Sequence, residues 1–210
     1  MAREGFDPVV LRDAYDAVAP EYARKFGDDL EHLPLDTELL GRLAAAADGG
    51  LVLDIGCGPG QAGGYLAARG ARVLGLDLST VMLAAAQARH GGLGLRGACA
   101  DLRRLPVPDG CSAGVSSFYV LHHLPREDLL SALREFRRVL RPGGGLLVAT
   151  HEGTGEYVAH GDLGIRGTLY SAADLERAMA GAGFGDVLIR TRDPLPHERQ
   201  AARLYLTATA

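Results

Sequence analysis

Cysteine is scarce in this chain of 210 residues, with three only, at Cys57, Cys99 and Cys111. Their number is odd, they lie far apart, and none forms a C-x-x-C pair, so neither a disulfide framework nor a zinc site is indicated. Reduced thiols are the default inside cells, which makes the cytoplasm the expected compartment. Long apolar runs are also missing. Nothing approaches the ~20 residues of a membrane span, and residues 1–7 lack the apolar stretch of a signal peptide. Positive charge is not in excess either. The formal net charge is −4, and Lys and Arg are dispersed apart from pairs such as Arg103-Arg104 and Arg137-Arg138. Phosphate backbones are held by clustered cations, so no nucleic-acid partner is expected. No carboxylate or histidine cluster has metal-ligand spacing, and no metal is expected.

What the chain has in abundance is glycine, 29 residues of it, which predicts tight turns and close backbone approaches. Hydrophobic residues make up 47% of the chain, enough at this length to bury a core without disulfide or metal support. Residues 1–47 read as a helical N-terminal cover. Pro20 suits the first turn of a helix carrying Glu21, Tyr22 and Phe26. Asp36 can cap a helix whose buried stripe is Leu39, Leu40 and Leu43.

Beyond residue 47 the pattern alternates. Strands are predicted at 51–55, 72–76, about 93–100, 113–119 and 145–150, with closing strands at 187–192 and 203–209. Ser79 caps one intervening helix, and Ser171-x-x-Asp174 is a capping-box signature before another. Arg141-Pro142-Gly143-Gly144 reads as the turn that ends the helix through Leu129, Leu133, Phe136 and Leu140. Such βαβα alternation implies a doubly wound, mostly parallel seven-stranded α/β sheet with helices on both faces. The organisation expected is one domain, with a cofactor-binding core at 48–151 and a substrate loop and closing strands at 152–210. Ligands of such sheets sit beyond the carboxyl ends of the strands. The Gly-rich segment 152–170, with Tyr157, His160, Ile165 and Tyr170, is expected to be a loop or lid over a substrate.

The segment Leu51-Val52-Leu53-Asp54-Ile55-Gly56-Cys57-Gly58-Pro59-Gly60 carries the chemistry. Its glycines let backbone approach a ligand closely. Asp54, at the strand mouth, can pair with a ligand ammonium. This segment resembles motif I of the class I S-adenosylmethionine-dependent methyltransferases, which have a Rossmann-like fold. Further motifs follow in order. Asp77 ends the second strand 21 residues after Gly56, where the family places an acid on the ribose hydroxyls. Asp101-Leu102 ends the third, where the family holds adenine. The run from Ser116 through Ser117, Tyr119, His122 and His123 to Leu124 looks like the family's segment after strand 4. Arg138-Val139-Leu140-Arg141-Pro142-Gly143-Gly144 looks like its turn before strand 5.

The resemblance implies S-adenosyl-L-methionine as cofactor and S-adenosyl-L-homocysteine as product. It implies cofactor contacts at Tyr22, Asp54, Gly56, Gly58, Gly60, Asp77, Leu78, Met82, Asp101, Leu102 and Ser117. Met82 has a helix-core position as its alternative. His122, His123 and His151 are the catalytic candidates, with packing or strand-end roles as the alternative reading. Tyr15, Tyr119, His122, His151 and Tyr157 are the candidates for holding an acceptor.

The implied reaction is in-line transfer of methyl to an O, N or C nucleophile of a small molecule, as in small bacterial enzymes of secondary metabolism. Ser112-Ala113 departs from the family's usual Phe-Asp. Nothing like Asn-Pro-Pro-Tyr follows strand 4, which argues against adenine-N6 or glutamine-amide methylation. Two other readings compete. Gly58-Pro59-Gly60-Gln61-Ala62-Gly63 spells the dinucleotide fingerprint of an NAD(P)-dependent oxidoreductase. Against it, Asp54 would face a pyrophosphate and Pro59 removes an N–H from the cradle. The second is a catalytically silent cofactor-binding protein on the same fold.

Overall fold

The structure, a computed structural model, describes residues 7–27, 29–159, 165–196, 198 and 201–210. The alternating pattern becomes a seven-stranded sheet of order β3-β2-β1-β4-β5-β9-β8. Its strands are β1 (Leu51–Ile55), β2 (Arg72–Asp77), β3 (Arg96–Cys99), β4 (Ser112–Phe118), β5 (Leu140–His151), β8 (Gly185–Arg192) and β9 (Arg203–Thr209). The first five pair in parallel, while β9 lies antiparallel between β5 and β8. β1 is almost wholly buried because helices cover both faces, as continuous apolar strands require. One face packs Leu53, Ile55, Val115 and Val148 on α5 (Leu129–Val139) and α6 (Ala172–Ala182). The other packs Val52, Val73 and Leu147 on α2 (Pro34–Ala47), α3 (Gln61–Ala67) and α4 (Thr80–His90).

The N-terminal cover differs from expectation in two places. α1 runs from Pro8 to Phe26 as one helix, so Pro20 lies inside it and opens no helix of its own. The missing proline N–H leaves the Asp16 carbonyl without its helical donor. Asp7, not Pro20, sets the start, accepting from the Val9 N–H at 2.7 Å. Asp36 does not cap α2. Pro34 starts that helix, Leu33 is its N-cap, and Asp36 is buried in its first turn.

Three more boundaries move. β3 begins at Arg96 because Gly91–Leu93 closes as a 3-10 turn ended by left-handed Gly94. The Arg141–Gly144 turn is absorbed into β5 as a bulge opposite Ser112 and Gly114, with Gly143 at φ +74°. The expected loop at 152–170 contains a hairpin of β6 (Glu156–Ala159) and β7 (Ile165–Thr168), and His160 lies outside the described residues. The hairpin is tied down at the end of β7 and just beyond it. Hydroxyls of Thr168 and Tyr170 donate to the Leu124 carbonyl at 2.7 and 3.1 Å.

Both capping signatures form. Ser79 Oγ accepts from the Met82 N–H at 2.9 Å, and Ser171 and Asp174 cap each other's backbone. Ser171→Ala is expected to cost about 1 kcal/mol in thermal or urea unfolding, without moving cofactor affinity. Among the described residues no helix is long and apolar enough to cross a membrane.

Candidate active site

The order β2-β1-β4 places the switch of winding direction at β1, where a crevice opens beyond the strand tips. Two adjoining cavities occupy it, sharing Tyr15, Tyr22, Gly56, Gly58, Phe118 and Tyr119 in their walls. The first lies over β2 and β3, between Asp77, Leu78, Met82, Ala100 and Leu102, and α1 roofs it with Leu11 and Tyr15. The second, about 510 Å³, runs from Asp54 and Gly58 past Tyr119, His122, His151 and Tyr157 to Asp36 and Arg203. That volume falls within the usual range for small-molecule sites.

Asp77 is fixed by two backbone donors. Its Oδ2 accepts from the Gly58 N–H at 2.8 Å and its Oδ1 from the Ser79 N–H at 2.9 Å. Burial pushes its carboxyl up, and those N–H groups oppose the push. A carboxylate offers about four lone-pair positions, so two remain for a diol. Leu78, Met82, Ala100 and Leu102 beside it form the apolar slot that a purine needs.

Asp54 shares its side of β1 with Val52, away from Leu53 and Ile55. It is 1% exposed, and its Oδ1 accepts from the Ser116 hydroxyl at 2.7 Å. Oδ2 faces the start of α3 at Gly63 and makes no well-formed hydrogen bond among the described residues. Burial pushes this carboxyl up to about 6. A buried, half-satisfied carboxylate at a cavity wall is the feature an ammonium ligand would complete. Gly56 and Gly58 take φ +69° and +51°, and a Cβ on Gly58 would point into open space. Together these groups fit the nucleoside, amine and backbone demands of S-adenosylmethionine.

An arc of rings lies along the walls of the two cavities. Tyr15 Oη lies 2.8 Å from His123 Nε2, and the His122 and His123 rings are 4.0 Å apart. His151 lies 5.7 Å from His122 and 5.2 Å from Tyr119, and Tyr157 lies 6.2 Å from His122. His122 and His123 stand in a buried 3-10 turn after β4.

Three expected cofactor contacts line neither cavity. Asp101 is turned away into a bidentate pair with Arg103, at 2.6 Å, which also reaches Asp128 at 3.1 Å. Its backbone neighbours Ala100 and Leu102 line the slot instead. Gly60 is the left-handed N-cap of α3, and a Cβ there would meet Ala86, so its role is close packing. Ser117 is wholly buried behind the strand tip. Sequence reading missed Phe118, Val120, Arg203, Glu198 and, as a site residue, Asp36. Asp36 carried a signal, since it stands three and four residues before Leu39 and Leu40 on the buried face. Gly63 is buried within α3 against Leu95, Asp54 and Val73, the helix–strand packing that the third glycine of a dinucleotide fingerprint also serves, so the case against that reading rests on Asp54 and Pro59.

Residues 52–144 match the family model described as a methyltransferase domain. A probable S-adenosylmethionine-dependent methyltransferase of Mycolicibacterium smegmatis is 38% identical over 109 residues, covering 52% of this chain and 41% of that one. A malonyl-[acyl-carrier protein] O-methyltransferase of Serratia marcescens is 34% identical over 169 residues, covering 77% of this chain and 60% of that one. The chain thus spans less than two thirds of either relative. Among solved structures, magnesium protoporphyrin IX methyltransferase from Synechocystis with bound S-adenosylhomocysteine superposes with a TM-score of 0.76. It is 22% identical, covering 96% of this chain and 98% of that one, a likeness of fold. The matched domain and the strand order together make residues 52–144 a methyltransferase domain of the class I S-adenosylmethionine-dependent type.

Proposed function

We propose that this chain transfers the methyl group of S-adenosylmethionine to an oxygen, nitrogen or carbon nucleophile of a small-molecule acceptor. The observation that carries the reading is the meeting of Asp54, Asp77 and the bare backbone of Gly56 and Gly58 at one crevice. Asp54 holds the amine, Asp77 the ribose hydroxyls, and Leu78, Met82 and Leu102 the adenine. Residues 48–151 are the cofactor-holding part, and 152–210 supply the far wall. The bound cofactor supplies a methyl already activated by positive sulfur.

The protein's share is then placement and exclusion of water. Tyr15 and Tyr22 close the crevice from α1. Tyr119, Tyr157 and the three histidines orient the acceptor. Where the acceptor must lose a proton, His122, His123 or His151 takes it, and Tyr15 fixes the ring orientation of His123. A cavity of this size favours a small acceptor. The three free thiols favour the cytoplasm.

Calorimetry tests the reading. S-adenosylmethionine and S-adenosylhomocysteine are expected to bind and NAD to give no heat. Asp77→Ala is expected to weaken S-adenosylhomocysteine by more than ~1 kcal/mol, through hydroxyls left unpaired. Tight NAD binding, with none of the sulfonium nucleoside, would reject it.

A further inference from the structure

The floor of the second cavity is built from groups that a plain core would not tolerate. Asp36 is wholly buried on a helix face otherwise made of leucine and alanine. Its Oδ2 accepts from the Tyr205 hydroxyl at 2.7 Å. The direction of that bond is set by the far side. Tyr205 Oη accepts from Arg192 Nε at 3.2 Å and Nη2 at 3.1 Å, so its own proton goes to Asp36. Arg192 in turn is engaged bidentately by Glu198, at 2.7 and 2.8 Å. Asp36 Oδ1 is left over. It is buried and has no hydrogen-bond partner among the described residues, and it belongs to a residue of the cavity wall. Such an atom is costly unless something donates to it.

A second observation points to the same spot. Tyr119 adopts φ +57°, a left-handed conformation that bulky residues rarely take and that gathers at functional sites. It sets the Tyr119 hydroxyl 3.5 Å from that of Tyr205, at the cavity wall. Its N–H still donates to the Ala149 carbonyl of β5 at 2.8 Å, so the left-handed turn comes directly at the end of the β4 ladder.

We infer that Asp36 is a specificity residue, and that its free Oδ1 accepts a hydrogen bond from an O–H or N–H group of the methyl acceptor. This rests on the methyltransferase reading for what occupies the cavity. Tyr205 is the positioning residue, since it reaches the acceptor only through Asp36. The acceptor class is then a polar molecule with a hydrogen-bond donor, as opposed to a purely apolar chain or an ether. Asp36→Asn should invert the preference. The substituted amide keeps its oxygen on the Tyr205 hydroxyl and turns an NH2 towards the cavity, where it donates.

The test is calorimetric titration of catechol, 2-methoxyphenol and 1,2-dimethoxybenzene into both proteins, with S-adenosylhomocysteine in excess. For the native protein, affinity is expected to fall at least about tenfold from catechol to the dimethyl ether, the worth of one hydrogen bond to a charged group. In Asp36→Asn the order should flatten or reverse. The native ranking alone suffices if the variant fails to fold. Identical rankings in the two proteins, including no binding by either, overturn the assignment of Asp36. Heat from S-adenosylhomocysteine is read in its own titration. Its absence from the native protein would overturn the methyltransferase reading and this inference with it. Its presence beside equal probe rankings sinks the inference alone.

Discussion

Asp54→Asn is expected to lower affinity for S-adenosylhomocysteine roughly ten- to hundredfold, the range for losing a hydrogen bond between two charged groups. The amide preserves shape and can still accept from Ser116, so the loss isolates charge. Titration gives a second readout. The Asp54 carboxyl titrates at about 6 in the folded chain against an ordinary value of 3.8. Between those values the folded chain binds more protons than the unfolded one, so this group's contribution makes stability fall as pH rises through the window. An ammonium ligand favours the ionised form, so affinity runs the opposite way. It should be full above pH ~6 and decline as pH falls through that value. In Asp54→Asn the slope of affinity near pH ~6 should disappear. A variant that binds as the native protein does, with the same slope, would remove Asp54 from the site.

Gly56→Ala is the most damaging single methyl we can place near the crevice. Gly56 sits at φ +69°, and a Cβ there would come within 2.0 Å of Val120 Cγ2 and 2.7 Å of its Cβ. Left-handed backbone costs an L-residue about 1–2 kcal/mol, and displacing a packed neighbour about 1–3 kcal/mol more. Urea unfolding should therefore show a loss of about 2–5 kcal/mol from the two contributions together. Val120 lines the first cavity, the one proposed for the nucleoside, so its displacement should also weaken the cofactor. Gly58→Ala provides the contrast. Its φ of +51° is strained too, but a Cβ there meets nothing within 4 Å. The smaller loss of stability expected for Gly58→Ala, about 1–2 kcal/mol, separates backbone strain from collision.

These two acids and two glycines were legible in the sequence because each signal is local. A strand that ends in acid or glycine needs no distant partner to be recognised, and Asp77 and Gly56 stand where strand tips put them. Ser79 and the Ser171–Asp174 pair were readable for the same reason, since a cap acts within three residues. What escaped were pairings across the fold. Asp36 looked like a cap because its partner, Tyr205, lies 169 residues away. Asp101 looked free because nothing local shows Arg103 and Asp128 closing on it. Pro20 looked like a helix start because propensity disfavours proline inside a helix, and tertiary contacts of α1 override that. The hairpin at β6 and β7 was hidden by glycines that read equally well as loop.

α1 buries one residue of its nineteen, Ala19, yet it touches both walls. Tyr15, in the walls of both cavities, reaches His123, while Asp16 accepts from the Ser79 hydroxyl at 2.5 Å, next to Asp77 at the first. A thinly anchored helix opens at a lower free energy than the sheet beneath it. A ligand in either chamber that packs on α1 would steady the helix and favour the occupant of the other. By reciprocity each ligand would then tighten its companion by the same factor, a linkage through the shared door that adds to their direct contact.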